Sequence, residues 1–244
     1  MKITALIPAR LNSKRFDRKL MMDLCGKPVI TRTYNAVLSS KLFSDVVVIT
    51  QDSEIHQEIL SNNGKSVLID KDYKSGTDRI ADACVNIETD IVINIQGDEP
   101  FINKNSLELL INIFKDDINN EINYGSLMKE IQNISEINNP NNVKVTVDNS
   151  SYATNFSRKP ITNMKNLNKK VFYKHIGVYG YRKDHLILFS KLSPTKLELK
   201  EKIEALRIIE SGHKIKMALV NSESVGIDTR EDLSKAIQMW KRNK

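Results

Sequence analysis

Several polar stretches of this chain hold residues whose types and spacing could do chemistry together, and most follow an apolar run. The first is "IPARLNSKRFDRK", residues 7–19, with five cations (Arg10, Lys14, Arg15, Arg18, Lys19), a serine at position 13 and no glycine. Arginine forks onto phosphate oxygens and lysine adds a mobile point charge, so such a loop can embrace a phosphorylated ligand. A solvated turn is the plainer reading. The loop is not a glycine cradle, because G-x-x-x-x-G-K-[ST] occurs nowhere in the chain.

The second stretch is "NIQGDEP", residues 94–100. Here Gly97 allows close backbone approach, Pro100 stops the strand, and Asp98 and Glu99 sit at its end. A turn would use the same residues. A carboxylate beside a triphosphate has another use, since magnesium takes one or two carboxylates plus phosphate oxygens. In the third stretch, "ESVGIDTREDL", Asp228 lies between a strand and a helix. It is either an N-cap with Glu231 completing a capping box, or a ligand sharing a metal with Asp98, and both roles can hold together. "YKSGTDRIAD", residues 73–82, opens a helix. Ser75, Gly76 and Thr77 can present backbone N–H groups to a base or ribose, and Thr77 or Asp78 can cap the helix. His175, in "YKHIGVYGYR", reads by itself as a structural strand histidine.

These stretches need a scaffold, and the apolar pattern describes one. "KITALIPA", "DVVVIT" and "DIVINIQ" read as apolar, buried strands and "SVLI" as a further short strand. Between them "GKPVITRTYNAVLSS", "SEIHQEILSNNG" (closed by Gly64) and "TDRIADACVNI" read as helices. The alternation predicts an α/β fold, a Rossmann-like three-layer sandwich. Later strands, "YGSLMKEI", "NVKVTVD" and "HIGVYGYR", alternate more, so the sheet is expected to be mixed and mostly parallel. The C-terminal third reads as one helix over residues 196–211, a strand "KIKMALV" and a last helix "REDLSKAIQMWKR". "RKPITNMKNLNKK" reads as a mobile basic loop. A single domain over residues 1–244 is expected, with about 150–200 as an excursion.

Composition sets the outer bounds. The 244 residues can bury one sizeable core, with 40% apolar and 27% charged residues, ordinary for a globular protein. No apolar run reaches the roughly 20 residues that span a bilayer, and the N-terminus is too short in its apolar part for a secretory signal. Cys25 and Cys84 form neither a disulfide framework nor a zinc spacing, which points to reduced thiols in a cytoplasmic protein. The net charge of +7 suits nucleic acid or phosphorylated small molecules equally. A basic nucleic-acid-binding protein would need a contiguous cationic face or a stacking platform, and aromatic residues are only 6%.

Taken in order along nearly the whole chain, "IPAR" with Ser13, Arg15 and Lys19, then "GKPVI", "SGTDRIA", "NIQGDEP", "NPNNVKV", "FSRKPI", "HIGVYGYR", "LELKEKIEALR" and "GIDTREDL" resemble the 3-deoxy-manno-octulosonate (KDO) cytidylyltransferases. The resemblance implies a homodimer of nucleotide-diphospho-sugar transferase fold. It implies a magnesium-dependent enzyme that joins CMP from CTP to KDO, releasing pyrophosphate for lipopolysaccharide synthesis. By position, Arg10, Ser13, Arg15 and Lys19 would line the triphosphate, and Ser75, Gly76, Thr77 and Arg79 the cytidine. Asp98 and Asp228 would hold the metal, and Arg10 and Lys19 would stabilise the departing pyrophosphate. Gln96, Arg158, His175, Tyr179 and Glu204 would meet the acid sugar, with residues about 150–200 also serving dimerisation. The chain departs from the family at Tyr73-Lys74 and Ala205, and at residues 162–170, which lack a tryptophan-containing stretch. These departures leave an amino-substituted KDO or a sialic-acid-like sugar open as the substrate. No nucleic-acid partner and no membrane insertion are expected.

Overall fold

Four apolar runs become the strands β1 (Ile3–Ala9), β2 (Asp45–Thr50), β3 (Lys65–Leu68) and β4 (Ile91–Asn94) in the computed structural model, which describes residues 1–13, 15–73, 75–160, 171–222 and 225–242. All pair in parallel, in the order β3-β2-β1-β4. Every residue of β1 and β4 is buried, the pattern of parallel strands covered on both faces. The crossovers are α1 (Val29–Ser39), α2 (Ser53–Ser61) and α3 (Gly76–Cys84). The first two carry the chain outward to β3, and α3 carries it back past β1 to β4. Because such crossovers are right-handed, this reversal puts α3 on the opposite face from α1 and α2. The strand order therefore switches direction between β1 and β4, where doubly wound sheets bind ligands at the strands' carboxyl ends.

These elements belong to one compact unit, residues 1–107 with 223–244. The last helix, α9 (Arg230–Arg242), closes this unit. Its Trp240 meets Phe101 with ring centroids 5.8 Å apart and lies 4.3 Å from the Arg32 guanidinium. One local expectation shifts: Asn63, not Gly64, takes the left-handed position after α2, at φ +57°. Gly64 is needed for space instead, since a Cβ there would lie 2.6 Å from Ile59 Cγ2.

The second unit, residues 108–222, is entered within α4 (Lys104–Lys115). It holds β5 (Tyr124–Glu130), α5 (Ile134–Asn138), β6 (Lys144–Val147), β7 (Ala153–Ser157) and β8 (Tyr173–Arg182). Then follow α6 (Lys183–Lys191), α7 (Lys196–Glu201), α8 (Ala205–Glu210) and β9 (Ile215–Val220). β5 runs antiparallel to β8 and parallel to β9, and β6 pairs antiparallel with β7 and β8. Tyr124, Tyr181, Phe114, Phe156 and Phe189 are fully buried in its core. The α/β class, parallel pairing in the first unit and mixed pairing in the second agree with the sequence expectation.

The helix expected over residues 196–211 is two helices. Lys202 takes the left-handed conformation, φ +56°, and ends α7. α7 starts with a capping box between Thr195 and Glu198. Both Glu198 oxygens also meet Arg207 of α8, at 2.8 and 2.5 Å, with both side chains buried. Among the described residues no helix is long and apolar enough to cross a membrane. Lys14, Lys74 and most of the expected basic loop, residues 161–170, lie outside the described residues.

Candidate functional site

In the first unit the loop after β1 is stapled before it can present charge. Leu11 N–H donates to Asp52 Oδ2 at 2.8 Å, Arg18 N–H donates to Leu11 O at 3.0 Å, and Phe16 and Leu20 are buried. Arg18 is in the left-handed region and its guanidinium is drawn to Glu54 on α2, 2.6 Å away. Arg10 is exposed immediately after β1, Ser13 is half-buried on the same loop, and Arg15 points to Asp228, 2.8 Å away. Lys19 opens a short 3-10 turn, and its ammonium lies against both Asp98 and Asp228.

Two features bring those acids together. Gly97 permits a tight turn after β4, since a Cβ there would stand 3.0 Å from Ile30 Cδ1 and 3.2 Å from Pro8 O. Its own carbonyl accepts from Thr33 Oγ1 at 2.9 Å. Beside it, Ile227 N–H donates to Asp98 O at 2.9 Å, with Ile227 fully buried, so the chain before α9 lies along the Asp98 turn. Asp228 is not the helix cap. Thr229 fills that place and Asp232 the matching position: Asp232 N–H donates to Thr229 Oγ1 at 3.2 Å and Thr229 N–H to Asp232 Oδ2 at 2.9 Å. The Asp228 N–H also goes to Asp232, at 3.2 Å, and the Asp228 carboxylate is left for Lys19 and Arg15.

The charges here hold one another. Burial depresses the Lys19 ammonium, but Asp98 and Asp228 outweigh it and raise its pKa above the ordinary lysine value. Burial likewise pushes Asp228 up, and Lys19 and Arg15 outweigh it and hold the carboxyl below the ordinary value. Among the described residues no group of three or more His, Cys, Asp or Glu could hold a metal. Two carboxylates converging on one cation do fit magnesium beside a polyphosphate, because phosphate oxygens and water complete that ion's shell. The Lys19 ammonium marks the shared locus.

Around the same strand ends, Gly76 packs on Pro8, where a Cβ would come within 3.2 Å of the ring and 3.9 Å of Gln96 Oε1. Ser75 caps α3, accepting from Asp78 N–H at 3.1 Å, so neither Thr77 nor Asp78 is the cap. Thr77 is buried. Arg79 is buried beneath the loop, donating to Ala9 O at 3.2 Å and Gln51 Oε1 at 2.7 Å, with Tyr73 stacked 5.6 Å from its guanidinium. Burial and the nearby Arg10 charge lower its pKa.

In the second unit, His175 and Tyr179 of β8 stand with ring centroids 5.2 Å apart. Four residues along a regular strand span about 13 Å. The closeness follows from a bulge, because Ser126 faces Tyr179 while Leu127 faces Ile176. Ser126 sits in it: Oγ is 2.9 Å from His175 Nε2 and donates to Val178 O at 2.8 Å. The hydroxyl also reaches Ile176 O at 3.3 Å, so it ties the His175 ring to the main chain of the bulge. Burial pushes the His175 pKa down to about 3, and burial together with Glu204 raises the Tyr179 phenol. Both are therefore neutral hydrogen-bonding groups near neutral pH.

Arg158 is in the same unit with its guanidinium on main-chain carbonyls: Glu201 O at 2.7 Å, Pro140 O at 3.1 Å and Lys202 O at 3.5 Å. Lys144, buried, donates to Asn139 O, Asn142 O and Arg158 O. Ser126, Lys144 and Gln51 are the supporting residues that sequence reasoning missed. Lys144, inside "NPNNVKV", stands in a motif that carries the family resemblance, and Ser126 in the quoted strand "YGSLMKEI".

A family model described as "Cytidylyltransferase" matches residues 4–215. The chain is 50% identical over 240 residues to a 3-deoxy-manno-octulosonate cytidylyltransferase of Flavobacterium johnsoniae, covering 98% of each. It is 46% identical over 236 residues to one of Christiangramia forsetii, covering 96% of this chain and 95% of the other. Among solved structures it is similar to a CMP:2-keto-3-deoxy-manno-octonic acid synthetase complexed with CTP, with a TM-score of 0.94, 33% identity and full coverage of both chains.

Proposed function

The chain belongs to the 3-deoxy-manno-octulosonate cytidylyltransferase family, and from that membership we propose how its residues carry out the reaction. It activates KDO with CTP. The anomeric hydroxyl oxygen forms a bond to the α-phosphorus, the bond from that phosphorus to the β-bridging oxygen breaks, and pyrophosphate leaves with that oxygen. Both reactants are anions, so the protein's task is positioning and positive charge. One observation supports our reading of the site most directly: Asp98 and Asp228 converge on a single cation at the switch point, beside the Arg10–Lys19 loop.

Arg10, Ser13, Arg15 and Lys19 bind the triphosphate, with Arg10 and Lys19 on the departing pyrophosphate. Ser75, Gly76 and Thr77 face the cytidine, and Arg79 holds that wall to the end of β1. Magnesium held by Asp98 and Asp228 would neutralise phosphate charge and ease loss of the hydroxyl proton. Gln96, His175, Tyr179 and Glu204 recognise the sugar, the neutral His175 and Tyr179 suiting hydroxyl groups. Arg158 meets the sugar carboxylate with the second N–H of Nη1 and of Nη2, since its bonds to the carbonyls of residues 140, 201 and 202 use three of the five guanidinium donors. We place the reaction in the cytoplasm, supplying lipopolysaccharide assembly, with a homodimer formed through residues about 150–200 as the working form.

The test incubates the protein with magnesium, CTP and, separately, KDO, an amino-substituted KDO and a nine-carbon acidic sugar. Pyrophosphate is followed and the product identified by mass. CMP-KDO formed fastest is the expected result, while preference for another sugar, or no turnover, overturns the assignment.

A further inference from the structure

We propose that Lys19 is an internal stand-in for the divalent cation: its ammonium occupies the locus shared by Asp98 and Asp228 until nucleotide arrives, and its transfer to phosphate couples metal binding to CTP binding. This rests on the reading of those acids as metal ligands. The Lys19 ammonium contacts Asp98 Oδ2 and lies 2.8 Å from Asp228 Oδ1, and only 13% of its side chain is exposed. Arg15 meets the same Asp228 oxygen at 2.8 Å. Two cations and two carboxylates form a quartet that is neutral as a whole.

A divalent ion entering alone must evict the ammonium from both acids and leave two further positive charges in the cluster. Like charges at this range repel, most strongly around Lys19 and Asp98, the least exposed of the four. A nucleotide triphosphate changes the balance. It gives Lys19 and Arg15 phosphate oxygens in place of the carboxylates, and its own negative charge offsets the incoming ion. Metal alone therefore binds weakly, nucleotide raises its affinity, and by linkage metal raises nucleotide affinity by the same factor.

Lys19 is a short lever for this exchange. It sits at the start of the 3-10 turn anchored by buried Leu20, so the side chain can swing without moving the backbone. Its stem needs only rotamer changes, which cost little beside the contacts exchanged.

Mn2+ is the probe, its binding read by electron paramagnetic resonance with and without CTP but without sugar. In the unaltered protein, CTP should tighten Mn2+ at least tenfold. Lys19→Met should bind Mn2+ at least tenfold more tightly than wild type when CTP is absent, and should lose most of the CTP-induced gain. Lys19→Gln, which keeps hydrogen bonding to the acids without charge, should behave the same and guards against a misfolded Met variant. If both variants bind Mn2+ no more tightly than wild type without CTP, the stand-in is refuted. Asp98→Asn separates this from the ligand assignment: it should weaken Mn2+ binding in the presence of CTP. Unchanged binding in Asp98→Asn would overturn the metal site itself, whereas weakened binding with inert Lys19 variants would overturn only the stand-in.

Discussion

Asp98 carries the clearest consequence at the scale of single residues. Replaced by asparagine, it keeps its shape and its place on the Gly97 turn but loses the charge that would face a cation. Turnover should fall by roughly 100- to 1,000-fold, the size of one lost charge-stabilising contact. CTP affinity should change by a smaller factor, because only the share linked to the metal is lost while Arg10, Ser13, Arg15 and Lys19 all remain. Pyrophosphate release measured against CTP concentration checks both. His175 gives a second residue-scale expectation. Burial holds its pKa near 3, while the unfolded chain titrates at its ordinary 6.5. As pH drops from 6.5 toward 3 the unfolded state takes a proton that the folded state refuses. Stability should thus decline across that window by up to about 1.4 kcal/mol per pH unit. Melting temperatures recorded from about pH 7 to about pH 4 should fall less steeply for His175→Gln than for wild type.

Among the elements, the turn after β4 and the break between α7 and α8 are the exposed points. Gly97→Ala pushes a methyl group to 3.0 Å from Ile30 and 3.2 Å from Leu20 and the Pro8 carbonyl. It should cost about 1–3 kcal/mol, by overpacking, and shift Asp98. Denaturant unfolding gives the first number, and a matched loss of Mn2+ affinity in the presence of CTP reports the second. Glu198→Ala takes the carboxylate away from the buried Arg207 charge, leaving Leu192 O and the Phe189 ring beside it, and should cost about 3–5 kcal/mol. If Glu204 meets the sugar, that variant should also raise the KM for KDO more than that for CTP. These places show what the sequence made legible. The strands flanking the switch were visible as continuous apolar runs, and Lys19, Asp98 and Asp228 were visible because they follow such runs or precede helices. The caps were misplaced because Ser75, Thr77 and Asp78 are all good caps, as are Asp228 and Thr229, and only the first helical residue decides. The break at Lys202 carries no glycine or proline to announce it. β7, "ATNFS", is too short and mixed to stand out, and Ser126 gained its role from a two-residue offset in strand pairing that no local pattern encodes.

For the whole molecule, the residues assigned to the two reactants divide along the chain's own units. Those for triphosphate, cytidine and cation all lie in residues 1–107 and 223–244, and the sugar group apart from Gln96 lies in residues 108–222. The first set is dominated by charge, while His175 and Tyr179 in the second are neutral. Changes of sugar preference should therefore come from substitutions in the second set, with CTP affinity held. A KM for each substrate measured across Tyr179 and Glu204 variants tests this. The first unit is also assembled from both ends of the polypeptide, since Ile227 must lie along the Asp98 turn before Asp228 can meet Lys19. A chain interrupted anywhere between β4 and residue 227 can pair β1 with β4 and still lack the strap that carries a second carboxylate to Lys19.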